Sequence, residues 1–236
     1  WRMSRDNAVE PELWAYEIKK FEPFEIPKRV KIPKGMQVIV DADNIEFISE
    51  DEEKPARIDW PTMATKEAKT NYIKFYGTKG YIEEESNEHK YHTCILLSLN
   101  DTNILLDYGE RHPEEIKERI DVVLNSHTHC DHLCPDISSL TCPIYVSRQT
   151  LDRVDFSLPE DTRIYEARKA FSIDNIKITP YPVYHSIRAP MHIFKIETDN
   201  LVIGVMTDFL EFKDKNDEDS FYPDLDIVII DGSGIT

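Results

Sequence analysis

Short apolar runs separated by polar turns dominate the chain from residue 71 onward. Residues 71–76 alternate apolar and polar side chains, which is typical of a half-buried strand, and Gly77 ends that run. Short helices are predicted at 113–119 and 147–154. The pattern predicts two sheets packed face to face with helices outside them. Further strands are predicted at 92–99, 104–107, 122–125, 143–147, 176–180, 191–196, 202–206 and 226–231.

The stretch before residue 71 differs, because it contains many prolines and no internal repeat. Residues 12–21 predict a short helix, and residues 36–40 and 45–48 predict two strands joined by a polar turn. We interpret residues 1–70 as an N-terminal extension or small β-rich appendage, with an extra edge hairpin as the alternative. The main domain is then expected to span residues 71–236.

Residues 127–132 form the densest cluster of side chains that can bind metal. Their order is His-Thr-His-Cys-Asp-His, directly after an apolar run. Side chains two positions apart in an extended segment point the same way, so His127 and His129 can reach one ion. On a helix they would diverge by roughly 200°. A sharp turn would let Asp131 and His132 face a second ion. Surface or core histidines would explain one or two of these residues, but not the cluster, and we interpret it as a metal site.

The cluster resembles the signature of the metallo-β-lactamase superfamily, and the resemblance continues in three other segments. Segment 103–109 resembles the family strand that ends in Asp-x-Gly, 184–187 its later histidine motif, and 201–209 the strand that delivers a bridging aspartate. The resemblance covers about residues 72–236. It implies an α/β fold, the four-layered αβ/βα sandwich, with the metal site at the upper edge of the sheets and residues 1–70 as a β-rich extension.

The resemblance also implies ligands for two zinc ions, with manganese or iron as alternatives. Catalytic zinc keeps one position open, where a hydroxide shared by the two ions would be the nucleophile. Asp131 and Asp208 are the carboxylates expected to act in catalysis. We expect Asp107, His92 and His192 to support the ligands without binding metal, with helix capping as the alternative for Asp107. The implied ligands are His127, His129 and His185 for the first ion, Asp131 and His132 for the second, and Asp208 for both.

One departure from the family concerns the second ion. Hydrolases of this family complete its ligand set with a last histidine, well after the strand that here ends at Asp231, but no histidine follows His192. We expect either a C-terminally truncated chain, which we favour, or an incomplete second site. The first site has the fuller ligand set, so we expect lower occupancy of the second.

The segments around His185 and Asp208 resemble the ribonuclease Z and ribonuclease J branches, and residues 75–80 resemble the glycine-containing first loop of phosphodiesterase-type members. We therefore predict a metal-dependent hydrolase that uses a metal-bound hydroxide on a phosphodiester of a nucleotide, RNA or DNA. Lys79 or Arg188 could contact a phosphate, with a solvated surface position as the alternative for either.

Other hypotheses stay open. The same hydroxide could hydrolyse a lactone, ester or thioester instead of a phosphodiester. A mononuclear iron oxygenase of the same fold would use only the residues of the first site and Asp208. A non-enzymatic binding module is a further hypothesis, and the intact His127–His132 cluster argues against it.

The chain is acidic, with a net charge of −17 and a sequence pI near 4.9. Acidic runs at 50–53, 83–85 and 214–219 are interpreted as solvated loops or turns. Such a charge disfavours long RNA or DNA, but bound ions would dominate the field beside them. The predicted partner is therefore a small anionic substrate or a short nucleic acid. We expect no membrane partner, because no apolar stretch approaches about 20 residues, and a homodimer is a hypothesis.

The chain contains four cysteines, at positions 94, 130, 134 and 142. We interpret them as free thiols, which predicts a cytoplasmic protein. A Cys-x3-Cys zinc knuckle and a disulfide between Cys134 and Cys142 are the alternatives.

Overall fold

The computed structural model describes side chains over residues 71–80, 90–114 and 116–230, and the backbone alone for residue 231 and for five strands before residue 71. The strands are β1 (Leu13–Glu17), β2 (Arg29–Lys31), β3 (Met36–Val40), β4 (Ile45–Ser49), β5 (Ala56–Arg57), β6 (Asn71–Gly77), β7 (Cys94–Leu99), β8 (Thr102–Leu106), β9 (Val122–Leu124), β10 (Ile144–Ser147), β11 (Thr162–Tyr165), β12 (Phe171–Ile173), β13 (Ile176–Tyr184), β14 (Met191–Glu197), β15 (Val202–Met206), β16 (Glu211–Phe212) and β17 (Ile227–Asp231). A 3₁₀ helix (Pro135–Ser139) and the helices α1 (Arg148–Leu151) and α2 (Lys215–Phe221) accompany them. Within the described ranges, no helix combines the length and the apolar character that crossing a bilayer requires.

The strands form two sheets. The first has the order β12-β13-β14-β15-β17-β1-β2, with β16 paired to β13. The second has the order β11-β10-β9-β8-β7-β6-β3-β4-β5. Two sheets with few helices confirm the predicted α/β sandwich.

The core between the sheets follows from the two-residue period of the strands. In β7, Ile95, Leu97 and Leu99 belong to the cluster that both sheets share, whereas Cys94 and Leu96 pack on the opposite face. Burying one such aliphatic side chain is worth about 1.5–3 kcal/mol. The first sheet contributes Ile176, Ile178, Phe194, Ile196, Ile203, Val205, Ile227 and Ile229 to the shared cluster.

The outer faces of both sheets are covered as well. On the second sheet, Leu105 and Val123 pack with Ile137 of the 3₁₀ helix. On the first sheet, Val183 packs with Phe221 of α2. Each sheet is therefore buried on both faces where these elements lie, which explains the nearly continuous apolar runs in the sequence.

Two helix predictions are wrong. Residues 13–17, within the predicted helix 12–21, form strand β1, which pairs antiparallel with β17 from Leu13 opposite Asp231 to Glu17 opposite Ile227. Strand β17 needs backbone partners on that side, and β1 supplies them. Residues 113–119 form no helix in their described part, which lacks only residue 115. A polar segment of this length is too short to be a stable helix unless packing supports it.

The predicted hairpin is confirmed, because β3 and β4 pair antiparallel. Strand β3 also pairs with β6, so the hairpin extends the second sheet. The domain boundary at residue 70 remains a prediction.

The prediction of a solvated loop at 214–219 is wrong. The Asp214 carboxylate caps helix α2 by accepting from the Asn216 N–H at 2.8 Å. Asp217 is buried and accepts from Arg168 Nε at 2.7 Å and from Arg168 Nη2 at 2.8 Å. Acidic side chains are favoured at the cap and in the first turn of a helix, so this run begins a helix.

The carboxyl ends of four strands lie at one edge of the sandwich. Strands β8 and β9 run parallel, with Leu106 opposite Leu124. Strands β13 and β15 both run antiparallel to β14 and therefore share one direction. The segments that follow these four strands carry Asp107, His127, His185 and Asp208.

Candidate metal centre

Three imidazoles and one carboxylate from separate stretches of the chain converge at this edge. His129 Nδ1 lies 3.0 Å from His127 Nε2 and 2.9 Å from His185 Nε2. Asp208 Oδ2 lies 3.5 Å from His127 Nε2 and 3.6 Å from His185 Nε2. The donor atoms of these residues all lie within 4.8 Å of one another, so four donors surround a common point.

Asp131, His132 and Asp208 form an adjoining group within the same limit. His132 Nε2 lies 3.0 Å from Asp208 Oδ2 and 3.7 Å from Asp131 Oδ2. Asp208 therefore lies between the two groups, at the position expected of a bridging ligand. The structure brings all the predicted ligand residues together, and their binding of metal remains a prediction.

A tight turn produces the second group. The backbone N–H groups of His132 and Leu133 both donate to the His129 carbonyl, at 2.9 and 2.8 Å. The chain therefore reverses directly after His127 and His129, and Asp131 returns toward the imidazoles. This is the sharp turn that the sequence required for a second group of ligands.

Asp107 contacts both ends of the histidine-bearing segment 125–132. Its carboxylate is fully buried and accepts from the Ser126 N–H at 2.7 Å, from Ser126 Oγ at 2.7 Å and from Asn125 Nδ2 at 3.1 Å. His132 Nδ1 lies 2.7 Å from the same carboxylate. Asp107 therefore orients the site by hydrogen bonds, and in the described structure no helix begins at this residue for it to cap. The sequence reasoning missed Asn125 and Ser126, whose signal was their place between strand β9 and His127.

These hydrogen bonds fix the proton positions on two imidazoles. The Ser126 hydroxyl donates to Asp107, so it accepts from His127 Nδ1, which lies 2.9 Å away. The lone pair of His127 then lies on Nε2 and faces the cluster. His132 likewise donates from Nδ1 to Asp107 and turns Nε2 toward Asp208. A carboxylate behind a histidine is a common support of a metal ligand.

The two groups differ in their protonation. Burial lowers the pKa of His127 well below its usual range, and the neighbouring His132 lowers it further. Burial also lowers the pKa of His185. Burial disfavours the charge on His132 too, but the carboxylates of Asp208 and Asp107 outweigh it and raise the pKa of His132 well above its usual range. Lowered pKa values favour the neutral imidazoles of His127 and His185, and the neutral form is the one that binds metal.

The donor set fits a metal ion. His132 Nε2 is buried without a hydrogen-bond partner, although Asp208 lies 3.0 Å away. The imidazole nitrogens of His127, His129 and His185 face one another, an arrangement that a cation between them would stabilise. Nitrogen and carboxylate donors of this kind suit zinc, manganese or iron.

His92 and His192, the other two residues expected to support the ligands, belong to neither group of donors. His92 is buried, and its Nδ1 accepts from the Arg111 N–H at 3.3 Å, so it stabilises the loop after β8. The backbone N–H of His192 donates to the Ser126 carbonyl at 3.3 Å, and its ring lies edge-on to Tyr165. Burial lowers the pKa of His192 to about 4, so its ring is neutral in the folded protein at neutral pH.

The structure also bears on the positions predicted for Lys79 and Arg188 and on the state of the cysteines. Lys79 is only 1% exposed, so the surface alternative is wrong for it, whereas Arg188 is exposed. The four cysteines are free, which rules out the disulfide between Cys134 and Cys142 in this structure.

Comparison with known proteins agrees with this architecture. The family described as the Beta-lactamase superfamily domain matches residues 89–234. The chain therefore belongs to the β-lactamase superfamily, and its fold is the metallo-β-lactamase fold. No curated protein sequence matches it significantly.

Two similar solved structures illustrate the relationship. The metallo-β-lactamase fold protein YhfI from Bacillus subtilis has 18% identity and a TM-score of 0.46, over 57% of this chain and 62% of its own. A diphosphatase of the PhnP family has 17% identity and a TM-score of 0.45, over 56% of this chain and 58% of its own. The chain thus spans less than two thirds of the length of either neighbour. The match is to the superfamily, and the ribonuclease branches are not distinguished within it.

The loop after β8 leaves no room for a side chain at position 109. A Cβ on Gly109 would clash with the backbone of Asp131 and with His92 Cβ. We expect Gly109→Ala to lower the free energy of unfolding by about 1–3 kcal/mol, as overpacking does, and to weaken zinc binding because Asp131 must move. Denaturant unfolding and zinc titration measure both effects. Gly80→Ala is the matched control, because no atom of the described residues lies within 4 Å of its Cβ position. Equal effects of the two variants would contradict the prediction.

The hydrogen bonds of Asp107 generate a second prediction. Asp107→Asn should weaken zinc binding about 10–100-fold, the usual effect of removing such a support, because the imidazole of His132 loses its carboxylate partner. Asparagine tolerates the left-handed backbone at this position, where φ is 58°, so the backbone should stay in place. Competition with a chromophoric chelator measures the affinity. Ser126→Ala, which keeps the bond from His132, should have a smaller effect, and unchanged affinity in Asp107→Asn would refute the role given to this carboxylate.

Proposed function

We propose that the protein is a metal-dependent hydrolase of phosphodiesters. The observation that carries the proposal is the convergence of His127, His129, His185 and Asp208, with a second group adjoining at Asp208. A surface cluster of histidines without a metal would not need hydrogen bonds that fix the imidazole protons. Here Asp107 fixes the proton of His132 directly and that of His127 through Ser126. The superfamily match over residues 89–234 supports the same class of site.

The residues of the chain have separate roles in this proposal. His127, His129 and His185 would hold the first ion, Asp131 and His132 the second, and Asp208 would contact both. Ions held in this way polarise a phosphoryl oxygen and lower the pKa of water. Zinc is the ion that we favour, with manganese and iron as alternatives.

The charge of the site supports an anionic substrate. Two divalent ions would carry more charge than the carboxylates of Asp131 and Asp208 neutralise, so they would make the local field positive despite the acidity of the whole chain. A phosphodiester of a nucleotide or of a short nucleic acid has the matching charge. A neutral lactone or ester would gain less from this field, which is why we rank those substrates second.

Apolar side chains next to the ligands support a substrate with an apolar portion. Ile187 is 97% exposed, Leu210 67% and Tyr184 49%. All three lie within two positions of His185 or Asp208. Among the described residues, Ile164 is the remaining exposed large hydrophobic side chain. We call Tyr184, Ile187 and Leu210 the apolar rim, and propose that it contacts a base or another flat group beside the scissile ester.

The proposed reaction is tested with the zinc- or manganese-loaded chain and two substrates, bis-p-nitrophenyl phosphate and a simple lactone. We expect the phosphodiester to be hydrolysed faster, chelation to remove the activity, and added metal to restore it. His185→Ala and Asp208→Asn should each lower the hydrolysis rate at least about 100-fold. Ser186→Ala, on the same loop as His185, should keep the wild-type rate. Faster turnover of the lactone would replace the proposal by an ester hydrolase, and metal-loaded protein inactive on both would overturn it.

The apolar rim is tested by its effect on the Michaelis constant. Leu210→Ala or Ile187→Ala removes apolar contact with the substrate, which should weaken the free energy of substrate binding by about 1 kcal/mol. The KM for bis-p-nitrophenyl phosphate should then rise roughly fivefold. Methyl p-nitrophenyl phosphate lacks the second ring and should respond less. Ile164→Ala, which changes an exposed isoleucine on β11, is the control. The same rise in the control would show that the rim does not contact substrate.

A further inference from the structure

A third group of histidine, cysteine and aspartate side chains lies outside the six predicted ligands. His112, Cys134 and Asp136 each place a donor atom within 4.8 Å of the other two. His112 Nε2 lies 3.3 Å from Asp136 Oδ2. Tetrahedral zinc with its usual bond lengths separates its ligands by roughly 3.4–3.8 Å. The His112–Asp136 pair already has nearly this spacing.

The hydrogen bond on the other side of the His112 ring determines which nitrogen is free. His112 Nδ1 lies 3.0 Å from the Pro113 carbonyl, which can only accept, so Nδ1 carries the proton. In the neutral ring, Nε2 is then an acceptor and faces the Asp136 carboxylate, which is also an acceptor. Two facing acceptors require either a second proton on His112 or a cation between them. A backbone carbonyl behind a histidine is also a usual support of a metal ligand.

Packing holds the His112 ring in this orientation. The ring stacks on Tyr108, with ring centroids 4.1 Å apart and an interplanar angle of 23°. Tyr108 is buried, and its backbone N–H donates to the His132 carbonyl at 2.8 Å. A ligand fixed by stacking loses little rotamer freedom when it binds an ion.

Cys134 supplies a donor of a different kind. Its thiol is free and 1% exposed, and it lies at the start of the 3₁₀ helix beside the backbone N–H groups of Asp136 and Ile137. Asp136 lies in the first turn of that helix, with its side chain 71% exposed. The group therefore has one buried sulfur, one oriented nitrogen and one solvent-facing carboxylate, which leaves a position open to water.

We propose that His112, Cys134 and Asp136 bind a zinc ion that is separate from the histidine cluster. Sulfur, nitrogen and oxygen donors together suit zinc better than magnesium or calcium. The ion would join the loop after β8, which carries His112, to the segment after His132, which carries Cys134. These loops already share the bond from the Glu110 N–H to the Cys130 carbonyl at 2.8 Å.

Cobalt(II) distinguishes this site from the histidine cluster. The six predicted ligands are histidines and aspartates, so cobalt there gives only the weak visible bands of nitrogen and oxygen ligation. Cobalt bound to Cys134 would add a strong near-ultraviolet band from sulfur-to-metal charge transfer. We expect the metal-free full chain to gain this band on cobalt titration, and zinc to displace it.

Matched variants assign the band. Cys134→Ser should abolish it, whereas Cys130→Ser and Cys142→Ser should retain it. Asp136→Asn changes an exposed side chain, so the variant should still fold. It should weaken the affinity for the cobalt ion that gives this band by about tenfold. Loss of the band in Cys134→Ser supports the proposal if circular dichroism shows that this variant is folded. If Cys134→Ser does not fold, the cobalt affinity of Asp136→Asn is the deciding measurement. No band in the wild type, a band that survives Cys134→Ser, or an unchanged affinity in Asp136→Asn would overturn the proposal and leave an ion pair between His112 and Asp136.

Discussion

The buried carboxylate of Asp107 is the interaction on which the arrangement of the cluster depends. It receives the Ser126 amide and hydroxyl, an amide group of Asn125 and the imidazole of His132, and thereby joins the ends of β8 and β9. Leaving such a carboxylate without these partners would cost several kcal/mol, since burial penalises an unpaired charge. The bonds that neutralise this cost are the same ones that direct His127 Nε2 and His132 Nε2 toward a common region.

Strand geometry explains why Asp107 and Asp208 both follow strands. Asp107 comes directly after β8, with φ of 58°, and Asp208 comes two residues after β15, with φ of 52°. A left-handed residue at this point turns the chain sharply out of the sheet, and aspartate tolerates that conformation better than most residues. The fold thus places a carboxylate after each of these strands: Asp107 contacts the segment after the neighbouring strand β9, and Asp208 faces His127 and His132 of the other sheet. At Asp107, the strain of this backbone conformation, of the order of 1 kcal/mol or more, is offset by the buried hydrogen bonds of the carboxylate.

The strands and the ligands within 127–132 could be predicted from the sequence because both patterns are local, whereas His185 and Asp208 were predicted from the family resemblance. Alternation in β6 and the apolar runs of β7 and β17 are visible in single segments, as is the spacing of His127 and His129. The first helix prediction failed because residues 13–17 are strand only through pairing with β17, more than two hundred positions later. The pattern of one short segment contains no information about that partner. Asn125 and Ser126 were missed for a related reason, since their role appears only when Asp107 on the neighbouring strand is placed beside them.

The net charge of the chain does not predict what its individual carboxylates do in the fold. The excess of carboxylates predicts repulsion of a long polyanion, which is a statement about the distant field. Within the fold, the same residue type caps α2 at Asp214, pairs with Arg168 at Asp217 and orients histidines at Asp107. A carboxylate whose charge is matched by a cation or by donated N–H groups contributes little to the distant field. The distinction between a solvated acidic surface and an acidic site therefore depends on which carboxylates are buried, and burial follows from topology, not from composition.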